Sequence, residues 1–562
     1  MTLSRPLINR RRTLTALPVV VALLAATACG SDDSNSSTDT TAAAATTATP
    51  DTSADTTAPA DAEFWTATPP NMTPVDDATA AEWQELAELT LQIAEGTPGA
   101  IIAVSHPELG FWSTAIGDAE VDVDPMTLDH HSRIGSVTKT FTAVAVLRLV
   151  DAGELSLDDT VADVVPDVAE QFPETADITV EHLVSMTSGL PDYANVAGSA
   201  TAQAVEDPTK VWAPEELIEA ALDASEVEPI GTPGYSTTNF IILGLMYEAI
   251  TGETIEAGIA SVAEDAGLTD TALLPADENE MPDPSTHGYI DPAGVSTLAD
   301  IGVEAEAGTE TTDWSISWGG AGGGAYSTIE DLFLWASTGS GNTLLSTELG
   351  TQRLELAPIE GDELQYGLGI LQQGVDGWYG HSGQAIGWEA LAFYDPETGA
   401  TFTVMINSTA GAQAFVVLWN ELFDLGLDVP SFDEIEAALA AQSAGDGDGE
   451  SAGDDTSGDE AGEASGSATL SVGDVTIDAD IVACTLDPSE FAAQGETSQI
   501  ILSLDPDVSG EANIVVSGGL QFEGSGSITV DDGQVTVVGS GAAPDDSAPV
   551  EDFTLEATIE SC

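Results

Sequence analysis

A serine and a lysine three positions apart, Ser136 and Lys139, are the residues of this sequence best placed to do chemistry together. Residues at this spacing share one face of a helix, so the lysine amine lies beside the serine hydroxyl. Burial disfavours the charged ammonium and lowers its pKa, and a neutral amine can accept the serine proton. The spacing alone is common by chance, but this chain has only one other lysine, Lys210. The pair therefore predicts a serine nucleophile with a lysine base.

The residues that follow predict the helix that positions this pair. Residues 140–147 read TFTAVAVL, which is apolar on nearly every side, and Gly153 marks the end. A helix with this pattern lies inside a domain. Its N-terminus favours negative charge, which develops on the serine oxygen as it attacks.

The surrounding chain, from 63 to 432, has a mixed α/β pattern. Helical spacing of apolar residues predicts a helix over 80–94. Short apolar runs predict strands at 100–104, 391–394 and 402–406. The glycine run Gly319–Gly324 is predicted to be a loop rather than a phosphate cradle, because no lysine follows it.

Several motifs carry a family resemblance. Residues 133–142, RIGSVTKTFT, resemble the nucleophile segment of the serine β-lactamase-related hydrolases, a family that includes class C β-lactamases, D-Ala-D-Ala carboxypeptidases, D-aminopeptidases and esterases. Further matches follow in the family's order: 186–193 (MTSGLPDY), 233–244 (PGYSTTNFIILG), 322–332 (GGGAYSTIEDL), 366–370 (YGLGI) and 380–383 (GHSG). Motifs in order are more specific than any one alone. The resemblance implies an α/β (α+β) fold, with an antiparallel sheet flanked by helices and an all-helical subdomain.

The resemblance implies that Tyr235 is a second proton-transfer group, because it matches the tyrosine of the family's Y-x-N motif. A phenol near a cationic lysine has a depressed pKa and can pass a proton to the leaving group. Tyr193-Ala194-Asn195 fits the letters better and is a rival placement, but Tyr235 precedes the apolar helix that starts at Asn239. Thr237 stands where the family often has Asn, and its hydroxyl spans less distance than an amide. This departure favours esters over amides and β-lactams.

His381-Ser382-Gly383 matches the family's third motif, and with Thr237 it is expected to contact substrate. Gly383 lets the strand backbone approach closely, and the amides of Gln384 and Ser136 are expected to form the oxyanion hole. His381 is expected to bind a carboxylate or to tune the site, according to its protonation state.

The charge of the chain excludes two classes of binding partner. Lys and Arg number 9 against 97 Asp and Glu, a formal net charge of -88 that repels nucleic acid and anionic membranes. The same composition also suits a salt-rich habitat. Asp129, His130 and His131 lack the spacing of a metal site, so we expect no metal and no cofactor.

The first 62 residues predict export and anchoring. A basic stretch, a short apolar run and Thr27-Ala28-Cys29 are typical of a bacterial lipoprotein signal peptide over 1–28, with the lipid on Cys29. An ordinary secretory signal is the alternative, and the paired arginines also permit twin-arginine export. Residues 29–62 form a Ser/Thr/Ala tether. The predicted location is the outer face of the cell membrane.

The end of the chain predicts a second domain. Residues 433–467 form an acidic linker, and 468–562 alternate as in a small all-β domain. Cys484 and Cys562 remain as a pair, which in an exported protein suggests a disulfide, with two free thiols as the alternative. Residues 481–485 (IVACT), 532–541 (DGQVTVVGSG) and 553–562 (FTLEATIESC) resemble mycobacterial surface lipoprotein antigens. The resemblance implies a non-catalytic domain that contacts envelope material. A passive spacer is the alternative reading.

Together these features predict a monomeric serine hydrolase that acts through an acyl-enzyme on small-molecule or peptidoglycan-type substrates: envelope D-amino-acid peptides, β-lactams or small esters. The alternative is a non-catalytic envelope-binding lipoprotein that retains the hydrolase fold.

Overall fold

The computed structural model describes residues 68–432, apart from 195–198, 361–363, 374, 376 and 428, and a set of strands between 465 and 561. These two parts belong to separate compact units. The predicted signal peptide, the tether with Cys29, most of the predicted linker and Cys562 lie outside the described residues. The predictions about them, and about the domain boundaries, stay predictions.

The described strands of the first unit form two sheets. In chain order they are β1 (Gly99–His106), β2 (Gly110–Glu120), β3 (Asp124–Pro125), β4 (Ser132–Arg133), β5 (Ala272–Leu273), β6 (Ala325–Ser327), β7 (Ala357–Glu360), β8 (Leu364–Tyr366), β9 (Leu371–Gln373), β10 (Tyr379–Ala385), β11 (Trp388–Tyr394) and β12 (Thr401–Ile406). The large antiparallel sheet has the order β3-β2-β1-β12-β11-β10-β9-β8-β7, and the small one has the order β4-β6-β5.

The helices of this unit cover the large sheet and form a bundle beside it. They are α1 (Asp77–Ile93), α2 (Thr138–Asp151), α3 (Val161–Val164), α4 (Pro166–Gln171), α5 (Val180–Val184), α6 (Ala200–Glu206), α7 (Pro214–Ala224), α8 (Thr238–Thr251), α9 (Ile255–Ala266), α10 (Pro292–Asp300), α11 (Gly320–Gly323), α12 (Ile329–Ser337), α13 (Thr347–Arg353) and α14 (Ala412–Phe423). Short 3₁₀ turns occupy Gly135–Val137, Pro173–Thr175 and Asn342–Leu344.

The core lies where the sheet is covered by helices. All residues of β11 and β12 are buried, as expected for apolar strands with both faces packed. Helices α1, α12 and α14 pack on the large sheet. Helix α2, apolar on nearly every side, packs against α8, α9 and α11. These contacts confirm the predicted α/β (α+β) fold with a helical subdomain.

Most local predictions hold. Helix α1 and strands β1, β11 and β12 lie at the predicted places, and α2 ends at Asp151, close to Gly153. The prediction of a loop at Gly319–Gly324 is wrong, because residues 320–323 form α11. Close packing requires glycine there, because a methyl group placed on Gly322 would lie 2.5 Å from Cγ2 of Thr237.

The second unit is an antiparallel sheet of eight described strands. They are β13 (Ser465–Val472), β14 (Val475–Cys484), β15 (Phe491–Gln494), β16 (Ser498–Leu504), β17 (Glu511–Gly518), β18 (Phe522–Asp531), β19 (Gln534–Ala542) and β20 (Glu551–Ser561). Consecutive strands pair, and β13 also pairs with β20, which closes the sheet on itself. Among the helices described in either unit, none combines the length and apolar character needed to span a membrane.

Candidate active site

Ser136 lies at a junction between a tight turn and a strand. It sits in the 3₁₀ turn Gly135–Val137, just before α2, rather than on the helix itself. Gly135 has a φ of +48°, and a methyl group on it would lie 2.4 Å from the backbone nitrogen of Gln384. A methyl group on Gly383 would lie 2.0 Å from the carbonyl oxygen of Ile134. Only glycine fits at either position, so β10 presses directly on the turn that carries the serine.

Lys139 reaches Ser136 from the first turn of α2. Its Nζ lies 3.0 Å from Ser136 Oγ and donates a 2.8 Å hydrogen bond to the carbonyl oxygen of Gly322. Burial lowers the pKa of Lys139 to about 7, and the charge of Asp192 opposes that shift. At neutral pH a large share of the amine is therefore uncharged. In that form the serine hydroxyl donates to the amine, which is the geometry of proton abstraction.

The carbonyl that binds the lysine belongs to α11, which the sequence did not reveal as part of the site. This short helix is tied to α2 a second time, because Thr142 Oγ1 donates to the carbonyl oxygen of Ala321 at 2.7 Å. Two bonds from one face of α2 thus hold α11 in place beside Lys139. The carbonyl oxygen of Gly322 accepts a hydrogen of the amine and so orients it. The lone pair of the neutral amine then faces the hydroxyl of Ser136.

Tyr235 is the tyrosine that lies against the amine. Lys139 Nζ is 4.9 Å from the centroid of its ring, which is half-buried. The rival, Tyr193, is fully buried, and its hydroxyl donates to the carbonyl oxygen of Gly319 at 3.4 Å. Burial raises the pKa of Tyr193 well above its ordinary value, so that phenol stays neutral. Asn195, the last residue of the rival motif, lies outside the described residues.

Thr237 is held by a carboxylate that the sequence analysis assigned no role. Its backbone nitrogen donates to Asp192 Oδ1 at 3.0 Å, and the nitrogen of Ala194 donates to the same oxygen at 3.1 Å. Both Thr237 and Asp192 are buried. Asp192 therefore fixes the chain next to Tyr235 and places a negative charge near Lys139.

His381 is a buried, neutral side chain. Its Nδ1 lies 2.5 Å from the carbonyl oxygen of Ser382, which can only accept, so Nδ1 carries the proton. Its Nε2 then accepts from the hydroxyl of Tyr366 at 3.1 Å. Burial, with the neighbouring Lys139, lowers the pKa of His381 to about 3. The rings of Tyr235, Tyr366 and His381 form one cluster, with centroids 5.7 to 6.2 Å apart.

The two amides expected to form the oxyanion hole meet at the same junction. The backbone nitrogen of Ser136 lies 2.9 Å from a methyl group placed on Gly383, and that of Gln384 lies 2.4 Å from one placed on Gly135. The side chain of Gln384 turns aside and donates to the carbonyl oxygen of Thr409. Ser382 is half-buried on the same strand.

The histidines at 130 and 131 lie apart from this site. His130 bonds Thr127 and lies 3.3 Å from an oxygen of Asp124, and Nδ1 of His131 lies 3.0 Å from the carbonyl oxygen of Pro284. In the part of the chain that the structure describes, no group of three or more His, Cys, Asp or Glu side chains is arranged to hold a metal.

This fold and this serine–lysine geometry define a class of protein. The chain belongs to the β-lactamase family, whose model matches residues 75–427. This match, with relatives that include a penicillin-binding protein and an esterase, confirms the family resemblance seen in the sequence.

Curated relatives match about a third of this chain. Penicillin-binding protein 4 of Amycolatopsis lactamdurans is 33% identical over 177 residues, 31% of this chain and 44% of that protein. Esterase EstB of Burkholderia gladioli is 30% identical over 179 residues, 30% of this chain and 45% of that protein. The chain thus spans less than half the length of either relative.

Solved structures share the fold. The D-amino acid amidase from Ochrobactrum anthropi SV3, complexed with L-phenylalanine, aligns with a TM-score of 0.52 at 23% identity and covers 65% of this chain and 99% of its own. A D-stereospecific amidohydrolase from Streptomyces sp. aligns with a TM-score of 0.50 at 24% identity and covers 60% of this chain and 98% of its own.

Proposed function

We propose that the first unit hydrolyses an ester or amide bond through an acyl-enzyme on Ser136, with Lys139 as the base and Tyr235 as the group that protonates the leaving group. One observation carries this proposal. The amine of Lys139 is buried, its pKa is lowered to about 7, and it lies 3.0 Å from the hydroxyl of Ser136. A base with a pKa near the working pH is the most effective proton acceptor.

The proposed reaction has two halves. In the first, Ser136 Oγ bonds to the substrate carbonyl carbon and its proton passes to Lys139 Nζ. The amides of Ser136 and Gln384 stabilise the oxyanion. The intermediate collapses, the bond to the leaving group breaks, and the leaving group takes a proton from Tyr235, which Lys139 replaces. In the second half, water loses a proton to the restored Lys139 and bonds to the acyl carbon. The bond from that carbon to Ser136 Oγ then breaks, the acid leaves, and Lys139 returns the proton to Ser136 Oγ.

The proposed substrates are envelope D-amino-acid peptides, β-lactams or small esters. The matches to a penicillin-binding protein and to an esterase support this range. Within it, the hydroxyl of Thr237 favours esters, because a side-chain amide in its place would donate to the substrate carbonyl and accept from the lysine at once.

We also propose that the chain is exported and anchored through a lipid on Cys29, with a disulfide between Cys484 and Cys562 and a second unit that contacts envelope material. These proposals rest on the sequence pattern. Mass spectrometry of the mature protein tests the lipid and the disulfide. An unmodified N-terminus other than residue 29, or free thiols at 484 and 562, would contradict them.

Labelling tests the catalytic proposal. A fluorophosphonate probe should modify the wild-type protein at Ser136, and Ser136→Ala should abolish both labelling and turnover of a chromogenic ester. The exposed Ser225, just after α7, offers a matched control, and Ser225→Ala should change neither. If the wild type resists the probe and turns over neither an ester, a cephalosporin nor a D-Ala-D-Ala peptide, the non-catalytic envelope-binding reading replaces this one.

A further inference from the structure

We propose that this site selects substrates whose leaving group is uncharged or cationic and discriminates against those that carry a carboxylate beside the scissile bond. The inference rests on the proposed function and narrows its substrate class. Peptides with a free C-terminus and penicillins carry such a carboxylate, whereas simple esters and amides do not. The argument follows the location of each positive charge that could bind the carboxylate.

The sequence offers very few cations. After Arg12 the whole chain holds only five Lys and Arg residues: Arg133, Lys139, Arg148, Lys210 and Arg353. A carboxylate that loses its hydration in a pocket needs a charged, hydrogen-bonding partner, because desolvation of an unpaired charge costs several kcal/mol. The fate of these five side chains therefore decides whether the site can accept one.

The three arginines are already engaged. The guanidinium of Arg133 is buried and donates to the carbonyl oxygens of Gly324 and Asn279. That of Arg353 is buried and donates to four backbone carbonyls. Arg148 forms a 2.6 Å ion pair with Asp265. Arg133 and Arg353 would have to give up these partners to bind a substrate, and Arg148 lies in the last turn of α2, nine residues beyond Lys139.

The two lysines also have other contacts and are not positioned to bind a substrate carboxylate. Lys139 acts on Ser136, and its partly neutral state is what the base requires. Lys210 stacks on the ring of Trp212, with Nζ 3.1 Å from the ring centroid. Trp212 is in turn fixed by a bond from its backbone nitrogen to Ser317 Oγ. Lys210 is thus held on a different segment from the serine, the third motif and Tyr235.

The third-motif histidine has no donor to offer. The proton on Nδ1 of His381 is used by the carbonyl of Ser382, and Nε2 accepts from Tyr366. Protonating Nε2 would place two charges side by side, because the buried Lys139 is close enough to lower the pKa of His381. The side chain at this position is therefore neutral and saturated. Asp192, whose charge acts on Lys139, is negative and repels a carboxylate.

The test uses two esters of the same acyl group. One releases 3-hydroxybenzamide and the other 3-hydroxybenzoate, so the leaving groups have nearly the same shape and differ in charge. After each rate is divided by its rate of alkaline hydrolysis, kcat/KM for the benzamide ester should exceed that for the benzoate ester by about tenfold or more, the effect of roughly 1.4 kcal/mol. A ratio near one, or a preference for the benzoate ester, would overturn the proposal.

Salt separates the local cause from the overall charge of the chain. In 1 M NaCl the screening length falls to about 3 Å, which removes long-range repulsion but leaves the local lack of a charged donor. The preference should persist there, and its loss would show that the site itself does not discriminate. If neither ester is hydrolysed and Ser136 resists the probe, the proposed function fails; equal turnover of both esters removes only this inference.

Two variants complete the test. His381→Lys places a cation at the third motif and should lower the ratio by improving the benzoate ester. Lys210→Ala should leave the ratio unchanged. A selective loss of benzoate turnover in Lys210→Ala would identify Lys210 as a carboxylate receptor and overturn the proposal. If His381→Lys does not fold, the Lys210→Ala variant can still contradict the proposal.

Discussion

Two fully buried cations, Lys139 in α2 and Arg353 at the end of α13, have opposite fates in the same unit. Arg353 donates to four carbonyl oxygens, and although burial lowers its pKa to about 9 it stays charged at neutral pH. Lys139 has one carbonyl and one hydroxyl, and burial lowers its pKa to about 7. Burial lowers both pKa values by a similar amount, so the higher ordinary pKa of a guanidinium keeps Arg353 a charged structural tie, whereas the amine of Lys139 reaches the pKa range of a base.

The largest expected effect comes from replacing Lys139, the proposed base, with arginine, the residue type at position 353. Lys139→Arg should lower kcat/KM on a chromogenic ester by about 10³-fold or more, because a guanidinium does not give up its proton in this pH range. The matched change at the other lysine, Lys210→Arg, should leave the rate unchanged. Steady-state kinetics at pH 8, with circular dichroism to verify folding, measure both. Near-normal activity in Lys139→Arg would remove the base from the mechanism.

The converse exchange should act on stability. Arg353→Lys leaves three donors for four carbonyl bonds, so at least one buried acceptor loses its partner. We expect a fall of about 2–3 kcal/mol in the free energy of unfolding, with kcat/KM of the folded protein unchanged. Denaturant unfolding and kinetics under native conditions test this. A loss of activity without a loss of stability would mean that Arg353 serves the site rather than the fold.

A smaller effect follows from proton linkage at Lys139. Its folded pKa of about 7 lies below the unfolded value of 10.5, so between these pH values the unfolded chain binds the extra proton and the folded chain does not. This contribution makes the folded state more stable as pH rises through that window. Between pH 7.5 and 9 the wild type should gain about 2 kcal/mol relative to Lys139→Met, which lacks the titrating group. Parallel denaturant curves for the two proteins measure the difference, and equal pH dependence would contradict the assignment.

The smallest expected effect concerns Asp192, whose charge opposes the lowering of the pKa of Lys139. Asp192 raises the pKa of Lys139, and Asp192→Asn keeps the oxygen that accepts from Thr237 and Ala194. Without the charge, the pKa of Lys139 should fall further. The acid limb of the kcat/KM profile should therefore move to lower pH, with little change in the plateau. A limb that stays in place would show that Asp192 acts only by holding the chain.

The contact that the sequence predicted is local, whereas the contacts that it missed join residues far apart in the chain. The contact of Ser136 with Lys139 is local, so a three-residue spacing was enough to predict it. The bond from Lys139 to Gly322 joins residues 183 positions apart, within a run of glycines that has low helix propensity. Glycines are required at 320 and 322 because α11 packs against α2 and α8, where larger side chains would clash with Ile241 and Thr237, and no local signal in the sequence reports that packing.

The same reason explains Asp192 and Tyr366. Both stand in motifs that the resemblance identified, but their partners are Thr237, 45 residues away, and His381, which lies on β10 with β9 between it and β8. The family motifs located the strands and turns of the site. Which polar atoms meet across those elements depends on how they pack, which spacing within one motif does not encode.

The wide spread of the site has a consequence for assembly. The lysine acquires its second acceptor only when α11 has docked, and the serine turn is held only when β10, almost 250 residues further on, has joined the sheet. Contacts of such high sequence separation form late in folding. Recovery of ester turnover after dilution from denaturant therefore reports completion of the whole unit, while helix content returns earlier, and a cut chain that keeps only the serine segment should be inert.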